Sequence, residues 1–417
     1  MKMRALQFAA LLVLAACGSS ARTSAQGGTD PGPANLEPSK PPFTTVEVAS
    51  FDNPWAMAFL PGSNTAVVTE KPGHIWLVDV TSGGKQPVFG APSVVDSSQG
   101  GLLDVAISPH YAQDGLIYLT YSERSANGGS GLALARAKLV RADRSAKLDG
   151  LQVIWRDPAG GQGGQFGGIV ALAPDGRSLF LTTGERQRFT PAQDPNQPLG
   201  KILHLTLDGK PAPGNPWAGK VGASTVTITD PPSDTEEAKR VSGRQVRWPG
   251  PNLTPAETWT LGHRNPYGLA FGADGRLWET EMGPRGGDEL NLIVRGKNYG
   301  WPLVSEGNNY NGVPIPRSAS NFTPPVLYWQ PSIAPTSLLI YTGNLFPEWK
   351  GDGLIGSLAA DALVHVRIRG DQATKLDQWD MGRRIRFVGQ GPDGAVYLLE
   401  DGAGGRLLRL APLQTRR

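Results

Sequence analysis

The 417-residue chain carries 40 basic and 37 acidic side chains, and a net charge of +3 gives no field strong enough to gather nucleic acid or an acidic partner. Its 54 glycines and 36 prolines stay below the fraction at which disorder is the default, and 11 tryptophans with 39% hydrophobic residues supply a sizeable core. A single cysteine excludes an internal disulfide framework and any multi-cysteine metal site.

That cysteine is Cys17. It follows Lys2, Arg4 and an apolar stretch, residues 5–16, that is too short to span a bilayer. Leu14-Ala15-Ala16-Cys17 has the form of a bacterial lipobox. Residues 1–16 are therefore expected to be a leader and Cys17 the lipid-bearing first residue; the alternative is an ordinary secretory leader with a chance cysteine. Gly18, where an Asp would signal inner-membrane retention, favours a periplasm-facing lipoprotein of the outer membrane. Residues 17–42 are rich in Ser, Gly, Pro and Thr and read as a flexible tether. The lipid is the only predicted hold on a membrane.

From Phe43 onward the pattern is β. Short apolar-polar runs are punctuated by Gly, Asp and Pro. A weak repeat runs through them. Pro174-Asp175-Gly176, Ala273-Asp274-Gly275 and Pro392-Asp393-Gly394 each precede a strand that ends in small or acidic residues, and Leu60-Pro61-Gly62 is a looser copy. A recurring turn-strand unit predicts radial repetition. Residues 43–414 would fill a six-bladed β-propeller, all-β, with long and unequal inter-strand loops; a β-sandwich array is the alternative. A polar, proline-rich insertion covers residues 218–255, and within it Ser233–Val241 reads as helical.

One segment carries the chemistry: Gly262-His263-Arg264-Asn265-Pro266, then Glu281-Met282-Gly283-Pro284, then Asp288-Glu289 and Gly296-Lys297-Asn298-Tyr299-Gly300. Arg264 and Asn265 set a planar cation beside an amide, suited to a carboxylate or carbonyl oxygen. Gly283-Pro284 leaves carbonyls free at a sharp turn, and Asp288-Glu289 offers the hard oxygens that Ca²⁺ prefers. Taken alone, these residues also fit glycine-rich connections with solvated charges.

With Gln99-Gly100-Gly101-Leu102-Leu103-Asp104, Phe166-Gly167-Gly168 and Arg384-Ile385-Arg386 in the same order, the chain resembles the soluble pyrroloquinoline-quinone (PQQ) dependent aldose sugar dehydrogenases, the glucose/sorbosone dehydrogenase family. The resemblance covers nearly all of residues 43–412. It implies a six-bladed propeller that holds PQQ and Ca²⁺, oxidises an aldose at C1 to the lactone, and passes electrons to a quinone or small acceptor. On matching positions, Gln99, Arg264, Asn265, Tyr310, Arg384 and Arg386 would surround the cofactor. The carbonyls of Gly283 and Pro284 would hold Ca²⁺ beside it, and Glu289 and Tyr299 would hold a second, structural ion. Arg186 and Trp329 would lie near the sugar.

Three positions depart from the family pattern. Gln165 stands where the family has its general-base His, Ala359 where it has a cofactor-binding Lys, and Met282 where many members have His. Three guanidiniums and one Ca²⁺ still outweigh the three carboxylates of PQQ. An amide cannot take a proton near neutral pH, and loss of a general base typically costs about 10²–10⁴ in rate. Glu185 is the expected substitute base, with Asp104 second. The alternatives to an enzyme are a propeller lipoprotein that binds PQQ, Ca²⁺ or sugar without turnover, and a Ca²⁺-dependent lactonase-like propeller.

Overall fold

The computed structural model describes residues 36–143, 145–229, 243–317 and 319–413. Cys17, the 1–16 leader, most of the 17–42 tether and the helical reading of Ser233–Val241 lie outside the described residues. Ser39, inside the expected tether, exchanges backbone hydrogen bonds with Gln378 and Asp380.

The strands follow in chain order. The first is β1 (Phe43–Asp52). Then come β2 (Pro54–Phe59), β3 (Thr65–Glu70), β4 (His74–Asp79) and β5 (Lys85–Phe89), and β6 (Leu102–Ile107), β7 (Leu116–Arg124), β8 (Ser130–Arg141) and β9 (Ala146–Arg156). Next are β10 (Gly167–Leu172), β11 (Ser178–Thr183), β12 (Lys201–Thr206), the paired β13 (Thr225–Thr229) and β14 (Gly243–Arg247), and β15 (Thr258–Leu261). The series ends with β16 (Pro266–Phe271), β17 (Leu277–Glu281), β18 (Asp288–Ile293) and β19 (Leu327–Trp329); β20 (Pro335–Ile340), β21 (Gly353–Ser357), β22 (Ala362–Arg369) and β23 (Gln372–Asp380); and β24 (Ile385–Gln390), β25 (Val396–Glu400) and β26 (Ala403–Pro412).

The Asp-Gly repeat becomes the hairpin between the first and second strand of a sheet. Gly62, Gly176, Gly275 and Gly394 all adopt left-handed backbone, with φ of 66°, 70°, 80° and 76°. That region is open to glycine without a steric penalty. The aspartate ahead of each of the last three accepts the N–H two residues on, at 2.9–3.1 Å, and closes the turn.

Sheets of four antiparallel strands result: β10-β11-β12-β15, β16-β17-β18-β19 and β20-β21-β22-β23. β2 to β5 and β6 to β9 form two more, merged into one eight-stranded sheet by a parallel β5–β9 pair. In the last sheet β1 pairs with β26, so the two ends of the described chain close one sheet together. First strands touch in succession: β2, β6, β10, β16, β20, β24 and back to β2. The architecture is nearly all-β and propeller-like.

A repeated hydrogen bond stitches the ring. Thr69, Thr120 and Thr182, each in a second strand and buried, donate their hydroxyls to the carbonyls of Leu103, Gly168 and Pro266 in the next sheet, at 2.7, 2.6 and 3.1 Å. The first strands enclose a cavity of about 280 Å³ lined by Trp55, Asp104, Tyr267 and Arg386 among others. In the 218–255 insertion, β13 and β14 alternate and bury Val226, Ile228 and Val246 against Ala159. Among the described residues no helix is long and apolar enough to cross a membrane.

Candidate active site

In an antiparallel hairpin, the residue entering the first strand lies beside the residue leaving the second. Gly167 opposes Thr183, Pro266 opposes Glu281 and Ile385 opposes Glu400. The residues just outside those pairs therefore share one face of the ring. They are Gln165 and Glu185, Arg264 with Asn265 and the 282–284 turn, and Arg384 with Asp401.

Gln165, Glu185 and Arg264 form the centre of that face. Gln165 is buried and left-handed, with φ of 56°. Its N–H donates at 2.8 Å to Oε1 of Gln99, which also accepts the Tyr267 hydroxyl at 3.1 Å. In the amide orientation that satisfies both neighbours, the Gln165 side chain donates to Oε1 of Glu185 and accepts from Nη2 of Arg264 at 2.8 Å. The other Glu185 oxygen accepts the N–H groups of Arg188, at 2.5 Å, and Phe189. Burial pushes the Glu185 carboxyl above its ordinary range, and the Arg264 charge pulls against it.

Arg264 is nearly buried. Its Nη1 donates to the carbonyls of Met282 and Gly283 at 2.9 and 2.8 Å, and its Nη2 reaches the Tyr310 hydroxyl at 3.3 Å. The guanidinium carbon lies 5.3 Å from the Trp301 ring. The backbone N–H groups of Arg264 and Asn265 donate to Oε2 of Glu281 at 2.5 and 3.2 Å. Among the described residues, the buried polar atoms without a partner include Nε of Arg264, Oδ1 of Asn265 and Nε1 of Trp301.

Sheet register gathers carboxylates behind this centre. Glu279 opposes Asn291, and Glu281 opposes Glu289. Asn291 Nδ2 donates to Glu279 and Glu289 at 3.0 and 3.1 Å, while Nδ1 of His263 lies 3.1 Å from Glu281. His263, Glu279 and Glu281 bring ligand atoms within 4.8 Å of one another. Burial, then repulsion from Glu281, holds the Glu279 and Glu289 carboxyls well above the usual range. The Tyr299 hydroxyl is already engaged with the backbone of Leu292 and Val294. Asp288 is engaged too: it accepts the N–H groups of Gly283, Ile333 and Ala334 and the Ser332 hydroxyl, at 2.6–2.8 Å.

Arg384 and Arg386 share one counter-ion. Their Nε atoms donate to the two oxygens of Asp401 at 2.8 and 2.7 Å. Burial pulls the Asp401 carboxyl up, but the Arg386 charge and the hydrogen bonds outweigh it and hold it below its ordinary value. Arg386 also lies over the Trp55 ring at 4.3 Å.

Four sequence-derived candidates sit differently from expectation. Arg186 is buried, with its guanidinium under the glycine-rich loop. It donates to the carbonyls of Gly164, Ser130, Gly161 and Gly163 and stacks 3.8 Å over Phe166. Burial lowers it to about 9. Left-handed φ values at Arg186, Gln187 and Phe189 turn the side chain inward, and no residue pattern announces that. Trp329 is buried in the core with Trp278 and Leu290, and it pairs with Asp288 at the end of β19. Ala359 is exposed on the turn after β21, its N–H bonded to the Ile333 carbonyl. Asp104 ties β6 to β10 by accepting the Val170 N–H at 2.8 Å, and burial pushes it up to about 7.

Sequence reasoning missed Asp401, Trp301, Tyr267 and the His263–Glu281 pair as parts of this face. His263 and Glu281 belong to the quoted motif, Trp301 directly follows it, and the alternation of Glu279 with Glu281 on one strand was the available signal.

Residues 51–228 and 250–409 match the family model described as Glucose / Sorbosone dehydrogenase, and the chain belongs to that family, whose members are sugar-oxidising oxidoreductases. Among curated relatives, the aldose sugar dehydrogenase YliI of Escherichia coli K12 is 34% identical over 383 residues, covering 89% of this chain and 94% of the relative. The crystal structure of the soluble aldose sugar dehydrogenase from Escherichia coli in its apo form superposes with a TM-score of 0.77 at 33% identity, covering 89% of this chain and 99% of that one. The PQQ-bound aldose sugar dehydrogenase of Streptomyces coelicolor gives a TM-score of 0.67 at 26% identity, with 89% and 99% covered.

Proposed function

We propose that this chain is a six-bladed, PQQ- and Ca²⁺-dependent aldose dehydrogenase that oxidises the sugar at C1 to the lactone and hands electrons to a quinone or small acceptor. The observation that carries the reading is the Gln165–Glu185–Arg264 cluster beside the Arg384–Arg386 pair. It sets a carboxylate of raised basicity and three guanidiniums on one face. The closed succession of first strands supports the six-blade reading.

The residues fit the cofactor. PQQ is a tricarboxylate, and the guanidiniums of Arg264, Arg384 and Arg386 are its natural partners. The unpartnered Nε of Arg264, Oδ1 of Asn265 and Nε1 of Trp301 are buried polar atoms that a polar ligand would satisfy. The carbonyl of Gly283 already accepts a cation, the Arg264 guanidinium, as it would accept Ca²⁺ with Pro284. Glu289 and the neighbouring buried acids suit a second cation.

PQQ, when bound, supplies the acceptor for the hydride leaving C1. The chain's own residues do the rest. Gln165 orients the C1 hydroxyl through its amide. Glu185 takes the hydroxyl proton, since burial raises its affinity for protons above that of an ordinary carboxylate. Arg264 steadies the ionised carboxylate. Cys17 would carry the lipid that keeps the protein at the outer membrane, facing the periplasm.

Purified protein given PQQ, Ca²⁺ and aldoses should reduce a redox dye in proportion to sugar. A cofactor absorbance shift without sugar-dependent dye reduction would instead mark a binding protein. Replacing Cys17 by Ser should move the protein from the membrane pellet to the soluble periplasmic fraction.

A further inference from the structure

Away from this face, a cavity of about 140 Å³ opens where the end of β9 meets the segment that follows β14. Its walls include the indoles of Trp155 and Trp248 and the rings of Pro198, Pro249 and Pro251. Trp248 and Pro249 lie outside both stretches matched by the family model.

One acidic side chain faces this apolar space. Glu257 is 8% exposed, and its Oε2 accepts the Trp155 indole N–H at 3.1 Å. Among the described residues no cationic side chain pairs with it. Arg156, also on the wall, is taken by Glu123 at 2.6 Å. Burial pushes the Glu257 carboxyl up to about 7, the mark of a charge without a counter-ion.

We propose that this cavity is a binding site for a small organic ammonium ion, with Glu257 as counter-ion and the Trp155 and Trp248 indoles as an aromatic wall.

Size and chemistry select that class. An engineered apolar cavity of about 150 Å³ encloses a molecule the size of benzene, so this cleft of about 140 Å³ suits a small ligand. An anion would meet Glu257 and be repelled. A neutral apolar molecule would bury the carboxylate without compensating its charge. An alkylated ammonium does both tasks: it neutralises Glu257 and lays its methyl or methylene groups against indole faces, where cations are attracted by the ring quadrupole. Proline walls add a rigid apolar surface that loses little entropy on binding.

The test uses the whole protein at pH 8.5, where Glu257 is ionised. Choline chloride is titrated against tryptophan fluorescence and by calorimetry, with sodium chloride matched for ionic strength. The neutral isostere 3,3-dimethylbutan-1-ol serves as the control. Choline should bind saturably with a Kd of about 1 mM, in line with a ligand of about seven heavy atoms. Glu257→Gln, which keeps an acceptor for the Trp155 indole, should weaken choline at least about tenfold and leave the alcohol unaffected. Trp248→Ala should weaken choline about three- to tenfold. The proposal fails if wild type gives no saturable response. It fails equally if the alcohol binds as tightly as choline, or if Glu257→Gln binds choline unchanged.

Discussion

Arg264 and Arg384 each lie just ahead of the first strand of a sheet, β16 and β24, yet they are held in different ways. Arg386 and its neighbour Arg384 lean on the formal charge of Asp401, and Arg384 is half exposed. Arg264 is surrounded by neutral acceptors, the carbonyls of Met282 and Gly283 and the Gln165 amide, and it meets Glu185 only across that amide. Backbone follows the same division: Gln165, Arg186, Gln187 and Phe189 are all non-glycine residues in the left-handed region, whereas no such residue lies between 362 and 413. Such conformations cost about 1–3 kcal/mol each and persist only where surroundings impose them. One side of the site is thus an interlocked unit and the other a replaceable charge pair.

Glu185→Ala should break the interlocked side most severely. It orphans the Arg188 and Phe189 amides and the Gln165 carboxamide and removes the carboxylate that this amide links to Arg264. A loss of about 3–5 kcal/mol is expected from the denaturant midpoint. Glu185→Gln keeps the shape and should lose less stability, but turnover should fall by about 10²–10⁴ if Glu185 is the base.

Gln165→His probes the same unit by gain. An imidazole there would stand between Glu185 and Arg264, as the amide does, and its ordinary pKa of about 6.5 suits proton abstraction. If Glu185 alone does not suffice, dye reduction should rise by up to about 10²–10⁴. If the rate is unchanged while Glu185→Gln is inactive, Glu185 is the working base.

Acid titration separates the two kinds of carboxylate by sign. Asp104 is raised to about 7 when folded, so its contribution is complete below its unfolded value near 4 and is lost as pH climbs toward 7. Asp401 is lowered, so its contribution is complete above about 4 and is lost as pH falls through its depressed folded value. Stability should therefore decline from about pH 5 to pH 7 by up to about 1.4 kcal/mol per unit for Asp104, and Asp104→Asn should flatten that slope. Thermal melts across a pH series measure it.

Asp401→Asn should do least. Its ion pairs are partly solvated, and pairs of that kind are worth about 0–1 kcal/mol. The two arginines remain but lose their common anchor, so PQQ should bind only a few-fold more weakly, as read by fluorescence quenching. A loss comparable to that of Glu185→Ala would erase the distinction between the two sides.

Much of this was legible in the sequence because turns are local. Asp-Gly at a hairpin dictates its own backbone, so the repeat located four first hairpins; Gln165, Glu185 and Arg264 were singled out through the family resemblance, and the observed antiparallel register explains why they share a face. Arg186 was not legible: its direction depends on left-handed backbone at a residue that does not prefer it, and on carbonyls that the 160–164 glycines leave open. Nor was the role of Asp401: it belongs to the acidic end of the strand that follows Pro392-Asp393-Gly394, but its partners are the arginines that register brings beside it. The burial of Trp329 was not legible either, since the cluster it joins is assembled from several strands, β17, β18 and β19 among them.

The β1–β26 pairing has a consequence for the order in which the protein is made. Thr44 and Ala411, bonded across that seam, lie 367 positions apart. β1 leaves the ribosome before any other described strand and must wait for the last one, while five sheets can already have formed from neighbouring segments. Closing so long a loop is a late step, and topologies of this kind fold slowly. Until it happens, β26 or its vacant neighbour position presents an unpaired edge, the form of surface on which strands of other chains add. The exposed interval of this edge is therefore the time between the emergence of β26 and the return of β1.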